Sequence, residues 1–207
     1  MISLAMKSTK NIYFVELLVS IPFLFRTHDI LSIWLKEVPA YTDLFVQLMA
    51  LETLFTVLGS GFNTTTMALG KIKSTQVYGR LITLSILPLS YLVLRLTPNP
   101  LFPMIISIML SLAYSVFLVY TVNRYVHFDL KYYLRAMAWP IFRTTALVLG
   151  GCYLLNNLFD ITNKWLSCLS YTLFLCTYAV VVIFYCGMRK LEREWIIGLV
   201  KRRIFKQ

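Results

Sequence analysis

The sequence predicts an all-α integral membrane protein with about six transmembrane helices. Of its 207 residues, 58% are hydrophobic and only 14% are charged, whereas a soluble domain is about half apolar and about one quarter charged. Apolar segments of about 20 residues recur along the chain, which is the length of a helix that crosses a bilayer. Membrane strands need only about 10 residues of strict alternation, and these segments do not alternate.

Six apolar segments supply the predicted membrane helices. In chain order they are residues 11–35, 44–69, 77–96, 101–122, 137–155 and 165–187. Because proline lacks a backbone N–H and clashes with the preceding turn, we expect kinks at Pro22 in the first segment and Pro88 in the third. Pro140 lies in the first turns of the fifth segment. Close contacts between helices are expected at small residues, which are Gly59, Ser60, Gly61, Gly150 and Gly151.

Two amphipathic segments are expected to lie on the membrane surface. Residues 124–135, between the fourth and fifth segments, mix aromatic and charged side chains, which is typical of a surface elbow helix. Residues 188–207 combine an apolar face with seven lysines and arginines, so this tail is expected to bind anionic lipid headgroups. The chain therefore divides into a six-helix bundle, residues 1–187, and a basic cytoplasmic tail.

The lysines and arginines predict the orientation of the bundle. Sixteen of the 20 fall on one side of the predicted membrane, at the N-terminus, in two connections and in the tail. The four on the other side are Arg26, Lys36, Arg95 and Lys164. Because cytoplasmic loops carry the excess of positive charge, both termini of this multi-pass chain are predicted to be cytoplasmic.

The basic balance of the chain, with 20 Lys+Arg against 9 Asp+Glu, would suggest a nucleic-acid partner in a soluble protein. Here the positive charges lie between apolar segments, so we predict contact with the lipid bilayer and no nucleic acid. The sequence contains no phosphate-binding loop, dinucleotide or hydrolase motif, so we predict that it is not an enzyme and needs no cofactor. Its four cysteines lack the paired spacing of a zinc site, so no metal is expected.

Two carboxylates inside the predicted membrane helices are candidates for ion coupling, because ionisable groups at membrane depth are costly. Glu52 lies about nine residues into the second segment, near the bilayer midplane. We predict that a proton, a bound cation or a basic group neutralises it; the alternative is a structural glutamate bonded to polar neighbours. Glu16 is expected to lie closer to the surface, where it either shares this role or reaches the interface or a local partner.

Basic residues near the helix ends are candidates for binding a phosphate group. Lys71, Lys73 and Arg80 flank the inner ends of two helices. They either set the topology or attract a phosphate-bearing headgroup. Arg143 lies just inside the fifth segment and is expected to reach the headgroups or, alternatively, a cavity.

Several stretches of the sequence follow one another in a recognisable order. They are IPFLF at 21–25, LSIWLKEVPAYT at 31–42, ALGKIKSTQ at 68–76, LPLSYLVL at 87–94, the Tyr132-Tyr133-Leu134 elbow before Pro140, and LERE at 191–194. In this order they resemble the polysaccharide (O-antigen type) flippases of the multidrug/oligosaccharidyl-lipid/polysaccharide exporter superfamily, a MATE-like fold. The resemblance covers essentially the whole chain, and its second and third stretches are the most specific.

The resemblance implies export of an undecaprenyl-diphosphate-linked oligosaccharide across a bacterial cytoplasmic (inner) membrane by alternating access. Arg26, Arg95 and Arg143 would be possible partners of the pyrophosphate, and Glu52 would couple transport to a proton or sodium gradient. Members of this family have two lobes around a cavity, and this chain resembles only the C-terminal one. A missing N-terminal lobe or a second chain is therefore expected as a partner.

Two other functions stay open from the sequence. The chain could be half of a cation-coupled drug antiporter, although the small number of acidic residues in the apolar segments favours the flippase. It could also be a membrane interaction protein that transports nothing and docks on a full-length partner. Loss of exported glycan on deletion would separate the flippase from the interaction protein, and cation-driven dye efflux would indicate the antiporter.

Overall fold

A computed structural model of the protein describes residues 1–70, 72–97, 99–158, 164–188 and 193–194. Every regular element within these ranges is helical, which confirms the predicted all-α class. The α-helices are α1 (Ile2–Phe25), α2 (Thr27–Trp34), α3 (Thr42–Val57), α4 (Ser60–Ala68), α5 (Ile72–Leu84), α6 (Ile86–Leu96), α7 (Phe102–Val126), α8 (Leu130–Tyr133), α9 (Trp139–Leu158) and α10 (Lys164–Val182). Two π-helical turns, π1 (Leu134–Ala138) and π2 (Ile183–Gly187), continue α8 into α9 and extend α10.

Five helices of the described chain are long and apolar enough to cross a membrane. They are Thr42–Ala68, Thr75–Leu96, Phe102–Val126, Leu130–Leu155 and Ser170–Gly187. These spans correspond to the second to sixth predicted segments, with ends that differ by several residues. Many of their large apolar side chains are exposed on the outside of the bundle, as is expected of helices that face lipid.

The first predicted segment differs most from the structure. Its helix α1 begins at Ile2, nine residues earlier than predicted, and ends at Phe25, after which the separate helix α2 follows. Helix α1 is 24 residues long, but it carries Lys7, Lys10 and Glu16 and is not one of the five apolar spans.

Helix α1 lies in the centre of the bundle and contacts α3, α4, α9 and α10. Nine of its residues are buried, including Lys10 at 2% exposure. A helix needs a continuous apolar surface only where it faces lipid. Protein neighbours cover the face of α1 that holds Lys10, so this face tolerates a polar residue that lowers the hydropathy of the helix. The opposite face, with Leu4, Val15 and Val19, is exposed.

The second predicted segment is broken between α3 and α4, and close helix packing explains the break. A Cβ atom at Gly59 would lie 3.3 Å from the Cα atom of Ser115 on α7. The backbone N–H of Gly61 donates to the Thr9 hydroxyl on α1 at 3.0 Å instead of continuing the helix ladder. The predicted close contacts are therefore confirmed at Gly59 and Gly61.

The other predicted pair of small residues gives a divided result. A Cβ atom at Gly151 would overlap the Tyr178 side chain on α10, so this glycine lies at a close contact. The prediction is wrong for Gly150, around which no atom lies within 4 Å of an added Cβ. The two glycines are adjacent in a helix and point to different sides, so only one can face α10.

The two expected proline kinks also differ. Helix α5 ends at Leu84 and α6 begins at Ile86, so the third segment is interrupted three residues before Pro88. This is the turn in which the proline ring crowds the helix and its missing N–H leaves a carbonyl unbonded. Pro22, by contrast, lies within the continuous helix α1, and the chain turns only after Phe25.

The predicted elbow helix at 124–135 is shorter than expected. Helix α7 continues to Val126, and His127 then adopts a left-handed conformation with φ of 49°. Asp129 starts α8 by accepting a hydrogen bond from the backbone N–H of Lys131 at 2.9 Å. Since α8 continues through π1 into α9, the elbow is the first part of the fifth helix and not a separate element. The predicted tail at 188–207 lies almost entirely outside the described residues.

Contacts between helices show the direction of each span. Helices α3–α4 and α7 run parallel. Glu52 meets Ser107, and further along both helices Phe62 meets Phe128. Helix α1 runs antiparallel to both, because Leu24 meets Gln47 and Thr9 meets Gly61. The Arg143 guanidinium near the start of α9 reaches Cys186 at the end of α10. Met1 therefore lies at the end of the bundle where α4 and α7 finish, whereas Gly187 lies beside Phe14, about halfway along α1. Which end faces the cytoplasm stays a prediction from the charge distribution.

Candidate functional site

Glu52 lies in the contact between α3 and α7, where three serines of α7 line one face of the helix. Its Oε1 atom accepts hydrogen bonds from the Ser107 hydroxyl and, at 3.4 Å, from the Ser111 hydroxyl. Ser115, one further turn along, donates to the carbonyl oxygen of Phe55 at 2.8 Å. Because these serines are four residues apart, they share one side of the helix.

The donors around the Glu52 carboxylate are uncharged. In the part of the chain that the structure describes, Glu52 forms no ion pair. A hydroxyl can donate or accept a hydrogen bond. Ser107 can therefore donate to an ionised carboxylate and accept from a protonated one, so the cluster satisfies both states of Glu52.

The position of Glu52 along its span agrees with the predicted depth. The span begins at Thr42, and ten residues of helix put Glu52 about 15 Å from that end. This is close to the middle of a hydrocarbon core about 30 Å thick. The serine contacts agree with the predicted alternative, a structural glutamate bonded to polar neighbours. The coupling role stays a prediction.

Glu16 lies deeper than the sequence predicts. Leu24 on α1 meets Gln47 on α3, and Thr9 meets Gly61, so the antiparallel pairing puts Glu16 nearly level with Glu52. Helix α1 begins nine residues earlier than predicted. Glu16 therefore lies farther from the start of its helix than the sequence suggests. The Glu16 side chain is half-buried, and no hydrogen bond or ion pair of its carboxylate occurs within the described ranges.

Arg26 is occupied by local partners. Its Nη1 atom donates to Asp29 Oδ2 at 3.0 Å, and its guanidinium carbon lies 4.5 Å from the centre of the Tyr171 ring on α10. His28 on the same short helix forms a 3.0 Å contact with Asp43 on α3. These contacts hold the corner between α1 and α2 against α3 and α10.

Arg143 has a structural partner that the sequence does not reveal. Its Nη2 atom donates to the carbonyl oxygen of Cys186 at 2.8 Å. Cys186 belongs to π2, at the end of α10, where helix carbonyls lack partners within the helix. Arg193 makes a similar contact with the carbonyl oxygen of Tyr185 at 2.5 Å. The sequence did not predict this bond. Whether Arg143 lies in a cavity or at the headgroups stays a prediction.

The remaining phosphate candidates do not gather into one site. Arg95 is exposed on α6 and lies 5.0 Å from the Tyr91 ring, at the same end of the bundle as Arg26. Lys73 and Arg80 are exposed on α5, whose first residues belong to the opposite end. Lys71 lies outside the described residues.

Two features of this region were missed in the sequence analysis. The serines at positions 107, 111 and 115 form an i, i+4, i+8 pattern that a search for polar periodicity would find. The full burial of Lys10 has no comparable signal, because it depends on the central position of α1. Among the described residues, no group of three or more His, Cys, Asp or Glu side chains could hold a metal ion.

No protein-family model, no curated protein and no solved structure matches this chain.

Proposed function

We propose that the chain forms one lobe of a membrane exporter that moves a lipid-linked oligosaccharide by alternating access. The observation that carries the proposal is Glu52, a carboxylate near the middle of an apolar span that has only hydroxyl partners among the described residues. Ionisable groups at such depth are costly and occur mainly on ion and substrate pathways. The ordered resemblance to the polysaccharide flippases supplies the substrate class.

Glu52 would couple the movement of α3 and α7 to an ion gradient. With the carboxylate ionised, Ser107 and Ser111 donate to it and hold the two helices together. Binding of a proton, or of sodium with these oxygens as ligands, changes the charge of the cluster without leaving an unbonded polar atom. The helix contact would therefore differ in strength between the two states, which is what a gradient-driven cycle requires.

The substrate would pass between this lobe and a second one, supplied by a missing N-terminal lobe, another chain or a second copy. Its pyrophosphate needs cationic partners that are not already bonded. Arg95, Lys73 and Arg80 meet this condition better than Arg26 and Arg143, whose guanidinium groups already donate to protein oxygens. The resemblance suggests a bacterial cytoplasmic membrane, and the charge distribution favours both termini in the cytoplasm.

The proposal is tested by replacing Glu52 with glutamine, which retains an oxygen that can accept from the serines. The chain is expressed in a bacterium that lacks its own exporter of lipid-linked oligosaccharide, together with any partner lobe, and the exported glycan is measured. We expect E52Q to lower export about tenfold or more, equivalent to about 1.4 kcal/mol of lost transition-state stabilisation, at an unchanged amount of protein in the membrane.

Glu16 supplies the matched control, because it lies at a similar depth but its carboxylate has no hydrogen bond or ion pair among the described residues. E16Q is expected to lower export less than E52Q. Normal export by E52Q would contradict the proposed role of Glu52.

A cation-coupled drug antiporter half is the second candidate, favoured by the same carboxylate because drug antiporters use buried acids. Vesicles that contain the chain would then expel a cationic dye when a proton or sodium gradient is applied. Dye efflux without glycan export would indicate that the transported substrate is drug-like and not an oligosaccharide. Absence of both activities would favour the interaction protein.

A further inference from the structure

A cleft of about 710 Å³ opens beside the elbow between α7 and α9, at the same end of the bundle as Met1. Its lining residues are Asp129, Lys131, Tyr132, Leu134, Arg135 and Trp139. Neither Glu52 nor any described phosphate candidate from the sequence lines the cleft. It combines two cations with aromatic and aliphatic side chains.

The two cations of the cleft are free to bind an anion. Lys131 and Arg135 are exposed, and neither side chain has an ion pair or a hydrogen bond within the described ranges. Asp129, the one acid among the described residues that line the cleft, accepts from the backbone N–H of Lys131 at 2.9 Å and is engaged as the cap of α8. The carboxylate therefore does not pair with either cation.

The cleft lies at headgroup depth. The span Leu130–Leu155 has 26 residues and is about 39 Å long, whereas the hydrocarbon core is about 30 Å thick. Two of its three charged residues, Lys131 and Arg135, lie in the first two turns, so these turns are the part that projects beyond the core. Tyr132 and Trp139 are 47% and 61% exposed, and such aromatic side chains are enriched at the level of the headgroups.

Packing against α4 holds the cleft in position. Phe62 on α4 is fully buried and stacks on Phe128 at 6.3 Å between ring centres. It also meets Tyr133 edge-on at 5.7 Å. The turn π1 follows directly, and π-helical turns often occur at functional sites. The cations thus stand on a preformed surface and not on a free loop.

From this arrangement we infer that the elbow cleft binds the phosphate of an anionic phospholipid, with Lys131 and Arg135 on the phosphate and Trp139 and Leu134 against the start of the acyl chains. Two adjacent cations complement a phosphate diester, and the apolar wall is open to lipid. A zwitterionic lipid would bring its own positive charge to the same cations. This site does not depend on the proposed transport function.

The test compares phosphatidylglycerol with phosphatidylcholine of the same acyl chains, bound to the purified full chain and measured by native mass spectrometry. Wild type should retain phosphatidylglycerol preferentially. The K131Q/R135Q variant should lose this preference by about 25-fold, because each cation near a lipid surface contributes about fivefold and the variant removes two. The control K7Q/K36Q removes the same charge from exposed sites outside the cleft and should keep the preference.

Further arms make each outcome decisive. K131R/R135K keeps the charge and should bind like wild type, and equal helix content by circular dichroism shows that the variants fold. Inorganic phosphate in excess should not displace the lipid; displacement would mean that the site takes free phosphate. Equal loss in the two glutamine variants, or no lipid preference in wild type, would overturn the inference.

A second measurement locates the lipid. With Trp34, Trp165 and Trp195 replaced by phenylalanine, Trp139 is the remaining tryptophan of the four. Brominated phosphatidylglycerol should quench its fluorescence more than brominated phosphatidylcholine. Equal quenching by the two lipids would place the bound lipid elsewhere and contradict the assignment.

Discussion

Ser107 is the residue that binds the Glu52 carboxylate most closely, so its removal tests the cluster directly. S107A removes a hydrogen bond between α3 and α7 and should lower the free energy of unfolding in detergent by about 1 kcal/mol. The same substitution in an E52Q background should cost less, because the charged acceptor is already absent. Unfolding titrations of the four chains of this double-mutant cycle give the coupling energy.

Thr53 provides the control for this cycle. Its hydroxyl donates only to the carbonyl oxygen of Ala50 within α3, at 2.9 Å. T53A should therefore show no coupling with E52Q. Equal effects of S107A in both backgrounds would mean that Ser107 and Glu52 do not interact.

Gly61 tests the contact between α1 and α4. A Cβ atom there would overlap the Thr9 hydroxyl and lie 2.5 Å from the carbonyl oxygen of Ala5. G61A should therefore destabilise the bundle by about 1–3 kcal/mol through overpacking. Thermal unfolding monitored by circular dichroism measures the change.

Gly150 is the matched control for Gly61, because nothing lies within 4 Å of an added Cβ. Alanine in a helix is favoured over glycine by about 0.5–1 kcal/mol. G150A should thus be neutral or stabilising. If G61A and G150A have equal effects, α4 does not approach α1 as closely as the structure indicates.

At the scale of elements, the end of α10 depends on a side chain from another helix. Arg143 on α9 donates to the carbonyl oxygen of Cys186 in π2. R143Q should weaken this bond and increase hydrogen exchange of the amides at 183–188 severalfold, whereas R124Q, an exposed cation at the end of α7, should not. Unchanged exchange in R143Q would show that the contact does not hold π2.

The sequence predicts the elements where lipid exposure determines composition. The spans Thr75–Leu96 and Phe102–Val126 face outward with leucine, tyrosine and methionine, so apolar length alone locates them. Helix α1 breaks this rule. Lys7 and Lys10 look like the flank of a span, but the helix continues to Ile2 and Lys10 is buried against protein.

The features that the sequence does not predict arise from contacts between helices. The break after Leu58 requires Ser115 and Thr9, which are distant in sequence from Gly59 and Gly61. The bond from Arg143 to Cys186 joins residues 43 positions apart. Glu52 was predicted from its own position as a charge in an apolar segment, but its serine partners on α7 became visible only through packing.

At the scale of the molecule, the bundle places its polar groups in layers. Glu52 and Glu16 lie near mid-depth, Arg26 closes one end through Asp29 and Tyr171, and the elbow cations lie at the opposite end. Helix α1, of mixed polarity, packs against apolar spans on one side and exposes Leu4, Val15 and Val19 on the other. Such an arrangement keeps charge inside the protein and apolar surface towards lipid, as a lobe of a transporter requires.

The most direct test of the proposed transport is substrate-dependent ion movement through Glu52. Membrane vesicles that contain the chain and any partner lobe are loaded with dyes for protons and for sodium, and undecaprenyl-diphosphate-linked oligosaccharide is added. We expect one of these ions to move on addition of substrate in wild type and in E16Q. This ion movement should be lost in E52Q. Equal ion movement in wild type and E52Q, or none in wild type for either ion, would contradict it.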